Sequence, residues 1–225
     1  TTKYIIKIVY IVHIGVICMK KAIFIFFIIF LFFSYINCYS DERFSYNNLL
    51  YKDIIGKIYI PGTNINNYVV KGSNNSYYLN HSYTGDYDVY GSIFLDSRNK
   101  VDDKKLLIYG HNSKNSSKAL FKDLEKFKDR NFFNNNKYIY LTLGNKKYKY
   151  LVFSINIVPN DSNYHTRINY NNFEFYRYVL NSYNSSLYDT DVSIDDVSNM
   201  ITLQTCNYDS YNTYLLVNAK RIGEI

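Results

Sequence analysis

The chain has 225 residues, 47% hydrophobic and 20% charged, with 9 Gly and 2 Pro. That composition supplies one packed core of ordinary domain size and excludes wholesale disorder, collagen-like and proline-rich classes. Its 26 basic and 19 acidic residues leave a net charge of +7 without a Lys/Arg run or a nucleic-acid-binding module, so nucleic acid is not an expected partner.

Residues 1–43 hold five of the basic and two of the acidic residues. Lys20-Lys21 precede an 18-residue, nearly uncharged run, Ala22–Tyr39, which is followed by Asp41-Glu42. Such a run is long enough to cross a bilayer as a helix, and the flanking charges predict the N-terminus inside and the body outside. A cleaved signal peptide is the competing reading, but Tyr35-Ile36-Asn37 lacks the small residues of a cleavage site. The same poverty argues against a lipid-modified Cys38. Residues 19–40 are therefore expected to form a retained membrane helix or, failing that, a signal. Residues 1–18 form an apolar segment broken by Lys7 and His13. Because Met19-Lys20-Lys21 resembles a natural start, this segment is either an upstream extension or a second span.

Past a polar, helical lead-in over 41–56, short β-type runs bounded by Asn, Asp, Gly and Ser dominate the domain 57–225. Strands are predicted at Lys57–Ile60, Ile65–Val70, Ser92–Leu95, Leu106–Tyr109, Tyr138–Leu143, Tyr148–Ile157, Met200–Cys206 and Tyr214–Ile222. Gly144-Asn145 between two alternating runs predicts a two-residue hairpin. Two segments break the rhythm. Ser117 is placed to cap a helix with the stripe Leu120, Phe121, Leu124, Phe127, and a second stripe runs Phe173, Tyr176, Val179, Leu180, Tyr183. The fold class is mainly β with inserted helices, a closed or half-closed barrel of eight strands.

Two strand ends carry chemistry. Leu106–Tyr109 runs into Gly110-His111-Asn112, which leaves His111 exposed on a turn. Met200–Cys206 ends in the one cysteine outside the apolar N-terminal segments, so no disulfide can form within the body. Alone, Cys206 is either an inert buried thiol or a reactive one, and a His on a turn is commonly just solvated. Together they supply the parts of a Cys–His nucleophilic site. His81 and His165 read as surface or solvated residues, and four scattered His give no zinc pattern. The pairs Asp102-Asp103, Asp189/Asp191 and Asp195-Asp196 lack a calcium-loop spacing, and no cofactor motif is present.

In chain order the motifs Ile58-Tyr-Ile-Pro-Gly-Thr63, Asn75-Ser-Tyr-Tyr-Leu-Asn-His81, Gly91-Ser-Ile-Phe-Leu-Asp-Ser-Arg-Asn99, Ile108-Tyr-Gly-His-Asn112, Phe121-Lys-Asp-Leu124 and Thr202-Leu-Gln-Thr-Cys206 form a familiar pattern. The chain resembles the sortases, membrane-anchored cysteine transpeptidases of Gram-positive bacteria. The Gly-Ser-Ile-Phe-Leu-Asp block and the helical stretch Phe173–Tyr183 are similar to class B. The resemblance implies a sortase-type barrel with Cys206 ending the seventh strand and His111 following the fourth. It implies that Cys206 attacks the carbonyl after Thr in a C-terminal sorting signal, and that His111 protonates the leaving amine. An amine of a peptidoglycan precursor or a pilin Lys then resolves the thioester. The implied partners are sorting-signal-bearing surface proteins or pilins, and the implied location is the cell membrane, single-pass, with the catalytic domain outside.

The family's third residue is an Arg on the eighth strand, eight positions after the Cys in class B; here that slot holds Tyr214. Lys220 shares the face of Tyr214 but lies about 20 Å along the strand, and Arg221 is on the opposite face. Arg98 and Arg167 are loop candidates for the missing cation, while Asn112, Gln204, Thr205 and Arg98 are candidates for the substrate groove. Gln204 stands where class B members commonly have Ser. The alternative to a working transpeptidase is a degenerate sortase-fold module that binds sorting peptides or cell-wall ligands without turnover.

Overall fold

Alternation of inward and outward side chains builds the walls of this molecule. In the strand Tyr138–Leu143, Ile139, Leu141 and Leu143 point into the core while Tyr138, Tyr140 and Thr142 are half-exposed. The computed structural model describes residues 51–225; the expected membrane segment, the apolar segment before it and most of the lead-in lie outside them. Eight strands appear: β1 Ile54–Tyr59, β2 Asn66–Val70, β3 Ile93–Leu95, β4 Lys105–Tyr109, β5 Tyr138–Leu143, β6 Lys146–Pro159, β7 Met200–Asn207 and β8 Thr213–Glu224. They close into a barrel in the order β1-β2-β3-β4-β7-β8-β6-β5. All eight expected strands are present; β5 has the expected ends, and the other ends are shifted by at most three residues. β1 starts at Ile54, so the final residues of the expected helical lead-in are already strand.

Leu143 pairs with Lys146, which makes Gly144-Asn145 the two-residue loop of a hairpin, with Gly144 at φ +55°. Two pairings are parallel: β2 with β3, and β4 with β7. Among the described residues no helix is long and apolar enough to cross a membrane.

The inserted helices differ from expectation in kind and in face. The second half of the stripe, Leu124 and Phe127, belongs to a 3₁₀ segment, Lys122–Lys128; Leu120 and Phe121 lie just before it, and Phe121, not Ser117, is at its N-cap. A separate helix, α1 Arg130–Asn136, follows and is capped by the Asp129 side chain, which accepts from Asn131 N. The stripe still does its packing, since Phe121, Leu124 and Phe127 are fully buried. α2, Asn172–Asn184, begins with a capping box in which Asn171 and Glu174 satisfy each other's backbone N–H. Its buried face is Phe175, Tyr178, Val179 and Ser182, whereas Phe173 and Tyr176 are exposed. The helix has aromatics on most sides, so two overlapping stripes fit a 3.6-residue period, and the partners beneath select one.

Phe121 ties this layer to the strand end that carries His111. Its N–H donates to the His111 carbonyl at 2.9 Å, and a Cβ built on Gly110 would lie 2.7 Å from its ring. Gly110 is thus the residue that lets the ring close over β4. Phe121→Ala removes a fully buried ring and is expected to cost about 3–5 kcal/mol, read as a lower urea midpoint without a change of slope.

Candidate active site

Parallel strands end at the same edge of a sheet, and β4 and β7 are parallel neighbours. Tyr109 pairs with Gln204, so His111 and Cys206 each lie two residues beyond a matched pair, on strands about 4.8 Å apart. Side chain and backbone hold the two ends together. Gly110 N donates to the Gln204 carbonyl at 3.3 Å, and Thr205 Oγ1 donates to the Gly110 carbonyl at 2.7 Å. On the other side of β7, the antiparallel strand β8 sets Tyr214 directly across from Cys206. Cys206 is therefore flanked by His111 on one side and Tyr214 on the other. All three line a cleft of about 330 Å³, together with Gln204 and Thr205. Its remaining walls include Leu79, Phe94, Tyr109 and Thr166.

The Cys206 thiol is half-buried, and burial pushes its pKa up, so at neutral pH it rests protonated. His111 Nε2 meets the Leu79 carbonyl at 2.7 Å. Gln204 is buried, and its Oε1 has no hydrogen-bond partner among the described residues. Asn112 sits beneath the cleft rather than in its wall. Its Nδ2 donates to the Cys206 carbonyl at 2.9 Å and to Glu125 Oε1 at 2.6 Å, and its own carbonyl accepts from Tyr208 Oη at 3.0 Å. It clamps the end of β7 instead of presenting a polar group to the groove.

Each candidate cation is engaged elsewhere. Arg98 grips Asp96 with Nε and Nη2 at 2.9 and 2.7 Å, and Nη2 also donates to the Thr166 carbonyl at 2.8 Å. Burial alone would raise the Asp96 pKa, but hydrogen bonds from Arg98 and from Tyr109 Oη win and hold it at about 2. Arg167 pairs with Glu174 at 2.6 Å on the surface. Lys220 binds Asp196, and Arg221 binds Asn199. Among the described residues, no Lys or Arg lines the cleft.

Two residues depart from their sequence reading or escaped it. His165, expected to be solvated, is buried, and its ring stands edge-on to Tyr214 with centroids 5.6 Å apart. Burial, and then the nearby charge of Lys105, lower its pKa to about 4, so it is a neutral imidazole. Lys105, in a charged stretch that looks like a strand edge, is fully buried. Its ammonium donates to the carbonyls of His165 and Arg167 and lies 4.1 Å from the Tyr178 ring centroid. With Arg98 on Thr166, three successive carbonyls of the loop between β6 and α2 are held by cations. Nothing in the local sequence signals this, because the partners are backbone atoms some sixty residues away. His81 stacks on Tyr77 at 4.1 Å and does not line the cleft. No cluster of metal-ligating side chains occurs among the described residues.

A closed eight-stranded barrel with Cys and His at adjacent parallel strand ends has clear relatives. Residues 58–222 match the sortase domain family, and the chain belongs to it. Within that family it is a class B member. It is 31% identical to sortase B of Listeria monocytogenes over 160 residues and 30% identical to sortase B of Staphylococcus aureus over 164, covering 70% and 72% of this chain. The matched stretches span 64% and 66% of those relatives' lengths. The crystal structure of Clostridium perfringens sortase B is 34% identical, with a TM-score of 0.73 over 80% of this chain and 99% of that one. A Staphylococcus aureus sortase B–substrate complex gives a TM-score of 0.72 at 28% identity, covering 80% of this chain and 85% of that one.

His165 makes a prediction about pH. Its pKa falls from the ordinary 6.5 to about 4 on folding, so between those values the unfolded chain binds a proton that the native state refuses. Stability therefore falls as pH drops through that window, by on the order of 3 kcal/mol over the whole of it. Urea midpoints measured at about pH 7.5 and pH 4.5 should diverge less in His165→Phe than in the unsubstituted protein.

Proposed function

We propose that this class B sortase is a cysteine transpeptidase that cleaves a C-terminal sorting signal after Thr and transfers the upstream protein to a cell-wall or pilin amine. The observation that carries the reading is the sharing of one cleft by Cys206 and His111 at the ends of parallel β4 and β7. The resting thiol is protonated, so attack requires a base, and His111 is the titratable imidazole that shares the cleft. Cys206 Sγ adds to the scissile carbonyl as its proton passes to His111. The tetrahedral intermediate collapses to a thioester, and the imidazolium returns the proton to the leaving amine. A second amine, from a peptidoglycan precursor or a pilin Lys, then attacks the thioester and restores the thiol. Residues 19–40 would hold the domain at the outer face of the cell membrane.

The oxyanion is the unusual point. In this reading Tyr214 is the donor beside Cys206, giving one neutral hydrogen bond where an Arg would give a charged, bidentate pair. A second reading, a tethered module that binds sorting peptides without turnover, is favoured by the lack of any Lys or Arg in the cleft lining among the described residues. Mass spectrometry separates the two: incubation with a panel of sorting peptides should leave an acyl adduct on Cys206, and a protein that binds peptide but never forms the adduct is the module.

Cys206→Ala should abolish peptide cleavage, and His111→Ala should reduce it to near background; cleavage surviving in Cys206→Ala would exclude the covalent route. Tyr214→Arg should raise the cleavage rate about tenfold, which is about 1.4 kcal/mol of transition-state stabilisation. Tyr214→Phe should lower the rate if the hydroxyl is the donor, and leave it unchanged if only the ring matters.

A further inference from the structure

The contact between His111 and Leu79 does more than fill space. A backbone carbonyl can only accept, so its 2.7 Å contact with His111 Nε2 places the proton on Nε2. In the neutral ring Nδ1 is then the bare, proton-accepting nitrogen. Leu79 is the last residue of a 3₁₀ turn, Tyr77–Leu79, and its carbonyl is held from behind. Gly91 adopts φ +56°, and a Cβ there would lie 2.3 Å from the Tyr78 carbonyl oxygen and 2.6 Å from that of Leu79. Ser92 fastens both sides of the same turn: its N–H donates to the Tyr78 carbonyl and its hydroxyl to the His81 carbonyl, each at 2.9 Å. The next residue opens β3, which pairs with β4, the strand that leads to His111. The turn that presents the acceptor and the strand that presents the imidazole are thus built on neighbouring staves of the barrel.

We propose that the Leu79 carbonyl, seated against Gly91, is the positioning group for the His111 imidazole: it fixes the Nε2–H tautomer and leaves Nδ1 to take the proton. This rests on the transpeptidase reading. In that reaction the Cys206 S–H bond breaks, an Nδ1–H bond forms, and a thiolate–imidazolium pair results; the imidazolium keeps its Nε2–H on Leu79 and releases the Nδ1 proton to the leaving amine. The arrangement does for this imidazole what a carboxylate does in a Ser-His-Asp triad, with a neutral acceptor in place of a charged one. It also explains why Gly91 is required at a position that touches neither the cleft nor the thiol: any side chain there drives the carbonyl out of line.

The test uses the full chain in detergent micelles, labelled with ¹⁵N-histidine and observed at about pH 8, above the ordinary His titration range. His111→Asn assigns the resonances. Long-range ¹H–¹⁵N correlation should show His111 with a protonated Nε2 and a bare Nδ1. In Gly91→Ala that signature should give way to tautomer averaging, with kcat for sorting-peptide cleavage falling on the order of 10–100-fold and KM little changed. Leu79→Ala, which keeps the carbonyl, should keep the signature. A protonated Nδ1 or an averaged ring in the unsubstituted protein overturns the proposal, as does an unchanged signature in folded Gly91→Ala. If Gly91→Ala does not fold, the tautomer in the unsubstituted protein decides alone. Because that readout needs no turnover, a protein that holds the Nε2–H tautomer yet cleaves no peptide would refute the transpeptidase reading and leave the positioning contact standing.

Discussion

Everything at the rim depends on one parallel pairing, β4 against β7. An antiparallel partner would put the end of β7 at the opposite rim from the end of β4, and no loop of a few residues could bring the two back together. Parallel neighbours cannot be joined by a hairpin, and the roughly ninety residues routed between these two supply β5, β6, the 3₁₀ segment Lys122–Lys128 and both α-helices. The 3₁₀ layer with Phe121 closes beneath the His111 turn, and the loop before α2 closes beside Tyr214. The scaffold fixes the strand ends that carry His111 and Cys206 to within one strand spacing, and the layers around them close on those ends.

Much of this was legible in the sequence because alternation with period two reports burial directly. Ile139, Leu141 and Leu143 announce both the strand and its inward face. Cys206 and His111 were legible because each follows such a run and precedes a polar turn. The helical layer was less so. Leu120, Phe121, Leu124 and Phe127 satisfy an α period, but a turn followed by a seven-residue 3₁₀ segment buries Phe121, Leu124 and Phe127, and hydrophobic spacing does not separate the two. Lys105 and His165 were opaque for a different reason. Their burial depends on carbonyls and rings from remote segments, and a charged or titratable side chain carries no sign of such partners in its own neighbourhood. Asn112 was read as a groove residue and proved to be a clamp on the Cys206 backbone, because residue type and position do not reveal which side of a turn a side chain takes.

The electrostatics of the site follow from where the cations went. Arg98 faces a carboxylate held at about 2, and Arg167 faces Glu174 in solvent. Lys105 is withdrawn behind the wall, and burial followed by the charge of Arg98 drives its pKa well below the usual lysine value. Tyr214 thus packs against a neutral imidazole, which in turn adjoins the buried Lys105. A bare carboxylate in the cleft would find no opposite charge, whereas a hydrogen-bonding group would meet hydroxyls and amides.

The loop between β6 and α2 is gripped at the carbonyls of residues 165, 166 and 167 by Lys105 and Arg98. A grip on main-chain oxygens is blind to the identity of the residues that own them. Exchanging Thr166 at the edge of the cleft therefore leaves these three grips in place and removes only the bond that its own hydroxyl donates to the Asn163 carbonyl. The chemistry of the cleft's edge can thus change one side chain at a time while the backbone behind it stays held.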